Sequence, residues 1–196
     1  VIGTSAESPI KTVAELIAAA KREPGKLSYS SVGVGSTQHL AGELFSSLAG
    51  LEMIHVPYRG GAAPVQDVMT QRVTVLFDTL TPTTPHIRSG KLRALGVTSR
   101  DRAPSVPDVP SASDALPAYE VTSWLGIAAP AKLPADVLRR LNQEVARVVA
   151  LPDVRQRLLA LGGAPRSGSP EQMRTLVDTE VTKWRKVVSD AKIPQQ

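Results

Sequence analysis

Apolar residues in the first half of the chain alternate between stripes at helical spacing and short runs of strand length. Val13, Leu16, Ile17 and Ala20 recur behind Thr12-Val13-Ala14-Glu15, a capping-box pattern, and Pro24-Gly25 stops the run; this predicts a first helix. Lys26 to Ser30 reads as a strand entering the loop Ser31 to Ser36. Leu40, Ala41, Leu44, Phe45 and Leu48 then form one stripe ending at Gly50, which predicts an amphipathic helix of about 13 residues. Met53 to Val56 reads as a strand, Pro57 to Gly61 as a loop, and Val65, Val68 and Met69 as a short helix. Val73 to Phe77 is β-branched enough for a buried strand. A helix opens near Thr81-Pro82 and stops at Gly90, and Leu92 to Val97 is the next strand.

The order αβαβαβαβ with short connections predicts an α/β fold, a mostly parallel sheet flanked by helices. Ligands in such sheets sit beyond the carboxyl ends of the strands. Three loops meet that description: Ser31 to Ser36, Pro57 to Gly61 and Asp78 to Thr84. From Ala103 to Pro117 the Pro- and Ser-rich texture predicts a surface loop, and Val121 to Ala129 reads as extended. Helices follow at Pro134 and Pro152, and Ser169-Pro170-Glu171-Gln172 opens a last helix of about 21 residues, near 30 Å long. This helical tail has too little sheet to build a core of its own.

Composition narrows the partners. Lys and Arg number 23 against 18 Asp and Glu, but they are scattered, 10 basic and 7 acidic before residue 101 and 13 and 11 after it. No basic patch for nucleic acid or membrane emerges, and 4% aromatic residues provide no stacking platform for single strands. Absence of cysteine removes thiol nucleophiles, disulfides and Cys-ligated metals. No apolar run reaches the roughly 18 residues of a membrane-spanning helix.

The candidate chemistry lies in the loops. Gly33-Val34-Gly35-Ser36-Thr37-Gln38, between strand and helix, brings backbone N–H groups, hydroxyls and the positive end of a helix dipole to one point, which suits a carboxylate; a plain turn with Ser36 as N-cap is the simpler reading. Tyr58 can offer its hydroxyl and Gly60 its N–H, whereas Arg59 reads as solvated. Asp78 either binds a polar group of a ligand or caps the next helix. His39 lies one turn before Glu43, the spacing of a helical pair. His55 and His86 have no partner in sequence, and three histidines without HxxxH or HxH spacing make no metal site. Trp124 reads as a hinge residue and Trp184 as core. Without a G-x-S-x-G elbow, Ser36 and His39 do not suggest a hydrolase.

In their order, Gly33 to Glu43, His55-Val56-Pro57-Tyr58-Arg59-Gly60, Phe77-Asp78, Gly90 to Thr98, and Ser123-Trp124 ahead of Ala129-Pro130 closely resemble the Bug (TctC-type) extracytoplasmic solute-binding proteins of tripartite tricarboxylate transporters. The resemblance implies a periplasmic-binding-protein-like fold of type II, a two-lobed Venus-flytrap. It implies a small organic acid, mono- or dicarboxylate, held by Ser31, Gly33, Gly35, Ser36, Thr37, Gln38, Tyr58, Gly60 and Asp78, and delivery to a membrane permease. No metal, cofactor or covalent chemistry is expected. Against that pattern the chain lacks the N-terminal part of lobe one. Residues 5–122 would be the second lobe, and residues 1–4 and 123–196 hinge strands and the remainder of the first, incomplete lobe, whose exposed surface would favour self-association. A signal peptide upstream of Val1 and a periplasmic location are expected. The alternatives are a ligand-sensing effector domain of a transcriptional regulator and, resting on the Gly-rich loop alone, an enzyme acting on a phosphate or acyl substrate. That loop lacks the Lys-Ser/Thr ending of a P-loop.

Overall fold

The computed structural model describes residues 1–193. The chain divides into two compact units, Val1–Ser123 with Lys186–Gln196, and Trp124–Arg185.

The first unit is built on a five-stranded sheet in the order β3-β2-β4-β1-β5. Its elements are β1 (Ile2–Ser5), α1 (Val13–Arg22), β2 (Ser28–Ser31), α2 (Thr37–Ala49), β3 (Ile54–Pro57), α3 (Ala63–Met69), β4 (Val75–Phe77), α4 (Leu80–Arg88) and β5 (Leu92–Gly96). Strand β2 pairs in parallel with β3 and β4, while β1 runs antiparallel to β4 and β5. Four strands therefore run one way and one against them, so the sheet is mixed. The reversed strand, Ile2–Ser5, takes up most of residues 1–4, the stretch expected as a hinge strand. It is buried along its length because it lies between two neighbours rather than at an edge.

The helix ends follow local chemistry. Thr12 caps α1, its hydroxyl accepting from Glu15 N at 3.1 Å while Glu15 accepts from Lys11 N. Helix α2 closes on Gly50 in the left-handed region. Its buried face, however, is His39, Ala41, Gly42, Phe45 and Ser46, rotated from the expected stripe so that Leu48 is 39% exposed. The cause is Tyr29 of β2. A Cβ on Gly42 would lie 2.3 Å from the Tyr29 ring, so only glycine lets α2 approach the sheet this closely. Phe45 and Phe77 continue that core, and Tyr119 meets Phe45 edge to face at 5.3 Å.

The Pro-rich segment after β5 is less peripheral than its composition suggests. Val97 N donates to Pro110 O and Ala112 N to Val97 O, adding a short bridge beside β5. Val106, Ala112 and Tyr119 are buried, and the Tyr119 hydroxyl donates to Ala41 O at 3.1 Å. Prolines stiffen a segment that side chains then anchor.

The second unit holds α5 (Ala135–Ala150), α6 (Pro152–Ala160) and most of α7 (Pro170–Asp190). Helices α5 and α6 pack together, and Asn142 Nδ2 donates to Gly168 O at 2.8 Å. The reciprocal capping box at α7 is formed: Gln172 N donates to Ser169 Oγ, and Ser169 N to Gln172 Oε1. No residue of α5 or α6 is buried, and Val137, Leu141 and Val148 are each at least 40% exposed.

Candidate functional site

Because β3, β2 and β4 are adjacent and parallel, the loops that leave their carboxyl ends lie side by side. Tyr58 N donates to Ser31 O at 3.0 Å, joining the first two loops, and Gln38 Nε2 donates to Asp78 Oδ1 at 3.2 Å, joining the first and third. The three loops singled out in the sequence thus meet in one place.

Within the first loop, Gly33 and Gly35 have φ of 134° and 78°, which a side chain would strain. Ser36 is the N-cap of α2: its hydroxyl accepts from His39 N at 3.2 Å and donates to Gly33 O at 2.7 Å. Ser31 is buried, and its oxygen accepts from Gly33 N at 3.1 Å. Gly35 N donates inward to His39 Nδ1 at 3.1 Å. Among the described residues, the N–H groups of Val34, Thr37 and Gln38 and the Thr37 hydroxyl make no intramolecular hydrogen bond. They sit at the positive end of a 13-residue helix with no acidic residue in its first turn.

The other two loops are partly committed. The Tyr58 hydroxyl donates to Asp67 Oδ2 on α3 at 2.6 Å, and burial together with that carboxylate pushes the phenol up to about 12. Among the described residues the second loop leaves the N–H groups of Arg59, Gly60 and Gly61 without an intramolecular hydrogen bond, and Arg59 is exposed. Asp78 Oδ1 accepts from Thr79 N at 2.7 Å as well as from Gln38, so Asp78 ties the loop to the start of α4. Of the nine candidates, Ser31, Ser36, Gln38, Tyr58 and Asp78 use side chains to build the loops. Thr37 and Gly60 keep donors with no intramolecular partner among the described residues, and Gly33 and Gly35 shape the turn.

A cluster under the loop was not legible in the spacing. His39 and His55 stack face to face, ring centroids 3.9 Å apart and 14° from parallel, with Tyr29 stacked on His55 at 5.0 Å. His55 Nε2 lies 2.6 Å from Ser31 Oγ. Beneath them the Tyr29 hydroxyl donates to Glu43 Oε1, and His39 Nε2 lies 3.6 Å from the same oxygen. The helical His39–Glu43 pair is therefore present, within a larger group. The contact with His39, with the Tyr29 bond, holds the Glu43 carboxyl below its ordinary value despite burial, and burial depresses His55 to about 4. The one available signal was register, since His55 stands opposite Tyr29 on neighbouring strands. Among the described residues no group of His, Asp and Glu is placed to hold a metal ion, and no helix is long and apolar enough to cross a membrane.

A helix-flanked α/β sheet whose adjacent strand ends carry Gly- and hydroxyl-rich loops is the architecture of periplasmic binding proteins, which its solved neighbours share. The family model described as the tripartite tricarboxylate transporter family receptor, TctC, matches residues 1–193, and the chain belongs to that family. A UPF0065 protein from the tcbD-tcbE intergenic region of Pseudomonas sp. is 38% identical over 195 residues, 98% of this chain and 58% of that protein. The solved structure of R. palustris Rpa4515 with adipate is 34% identical with a TM-score of 0.85, covering 98% of this chain and 64% of that one. MatC from Rhodopseudomonas palustris with bound malate is 30% identical with a TM-score of 0.77, covering 95% of this chain and 65% of that one. The chain spans about three-fifths of the length of each of these three relatives.

Proposed function

We propose that this chain carries one lobe's carboxylate site in a solute-binding receptor that captures a small organic mono- or dicarboxylate for a tripartite transporter. The observation that supports this most directly is the set of N–H groups without an intramolecular partner on the first turn of α2 and at Gly60, in a family two of whose solved members hold adipate and malate. Charge-assisted hydrogen bonds of about 1.5–3 kcal/mol each suit a carboxylate there. The helix end adds about 0.3–1 kcal/mol without any charged side chain of its own. On this reading the protein is periplasmic, its macromolecular partners are the membrane subunits of the transporter, and no covalent step occurs. The family gives no support to an effector domain of a transcriptional regulator.

Calorimetric titration of the full-length protein with a panel of mono-, di- and tricarboxylates tests the proposal. At least one should bind with saturable heat, and Thr37→Val should weaken it about tenfold, the equivalent of one lost hydrogen bond. No heat with any member of the panel overturns the reading.

A further inference from the structure

We propose that the stacked His39–His55 pair positions the carboxylate loop, the His39 lone pair holding the Gly35 N–H inward and His55, through Ser31, holding that of Gly33, so that those of Val34, Thr37 and Gln38 are left free. The proposal rests on the reading of that loop as a carboxylate site.

The geometry fixes the His39 proton and ties His55 to the turn through Ser31. Gly35 N donates to His39 Nδ1, so the His39 proton is on Nε2, the atom facing Glu43 Oε1. Ser31 Oγ accepts from Gly33 N, lies 3.2 Å from Gly33 O and 2.6 Å from His55 Nε2, and so joins His55 to the turn whichever of the two carries the shared proton. Each glycine N–H therefore ends, directly or through one hydroxyl, on a ring nitrogen of the pair. The rings lie 3.9 Å apart, and neither could gain a proton without setting a charge against its neighbour's face. The titratable groups facing the pair are Glu43 from α2 and Tyr29 from β2; from β4, Phe77 meets Tyr29 edge-on and adds no charge.

This arrangement predicts an unusual sign. A histidine that attracts an anion through its charge tightens binding as pH falls. A histidine that works through its lone pair loosens it, because protonated Nδ1 and the Gly35 N–H become two opposed donors and the loop must turn.

The test compares full-length wild type, His39→Asn and His39→Phe, with malate and adipate as probes, after correction for protonation of the probe. Asparagine keeps a non-titrating acceptor near the Nδ1 position, whereas phenylalanine keeps only the ring. Wild-type affinity should fall as acid places a proton on Nδ1, at the pH that the imidazole 15N shifts report. His39→Asn should bind with a flat profile, and His39→Phe should lose about tenfold at pH 7.5, one hydrogen bond's equivalent. Should His39→Phe not fold, Ser31→Ala cuts the second link and should weaken binding likewise. Wild-type affinity that rises with acid, or a His39→Asn profile that parallels wild type, overturns the proposal. Imidazole 15N shifts and amide exchange of Gly33 and Gly35, read without ligand, judge the positioning by itself. An unprotonated His39 Nδ1 with slow Gly35 exchange, lost in His39→Phe, supports it even if neither probe binds. A protonated Nδ1 overturns it even if both do.

Discussion

Ser36 and Thr37 stand next to each other at the start of α2 with different duties. Ser36 spends its hydroxyl on His39 N and Gly33 O, whereas that of Thr37 is unspent. Ser36→Ala should therefore cost about 1 kcal/mol of stability as a lost N-cap. Thr37→Val should stay within about 0.5 kcal/mol of wild type, as exposed substitutions do, yet weaken carboxylate binding. Urea unfolding beside calorimetry separates the two, and equal stability losses would contradict the assignment. His55 makes a second prediction at this scale. Its value in the fold is about 4 against 6.5 ordinarily. Between those pH values the unfolded chain binds the proton and the folded chain does not, so stability falls as pH drops from 6.5 towards 4. His55→Phe keeps the ring stack and should flatten that slope; an unchanged slope in unfolding midpoints would assign the acid sensitivity elsewhere.

At the scale of elements, the Gly33–Thr37 loop and its helix were legible because local chemistry decides them. Thr12, Ser36 and Ser169 announce helix starts, and Gly50 an end. What was hidden depends on long-range pairing. Nothing local tells Ile2–Ser5 to run antiparallel between β4 and β5, or sets His55 opposite Tyr29 so that it stacks on His39. Likewise the apolar stripe of α2 pointed to Leu48, while the true contact face is chosen by the Tyr29 ring against Gly42. Gly42→Ala tests that contact. The added methyl meets backbone-anchored ring atoms at 2.3 to 2.7 Å, and overpacking of this kind costs about 1–3 kcal/mol. A thermal midpoint equal to wild type would show that Tyr29 is not held there.

At the scale of the whole molecule, α5 and α6 of the helical second unit bury no residue, and Leu125, Ile127 and Leu161 are each more than 60% exposed. Apolar surface of this extent favours association. The 196-residue chain by itself should scatter light as a species larger than a monomer; a stable monomer at high concentration would mean that these faces are covered within the chain. The central claim remains that a carboxylate is held by the first turn of α2. Amide chemical-shift mapping of the full-length protein, titrated with the best-binding member of the carboxylate panel, tests it directly. The account predicts saturable shifts at Val34, Thr37, Gln38 and Gly60 with the binding constant seen by calorimetry. Saturable binding that leaves those four amides unmoved would contradict it.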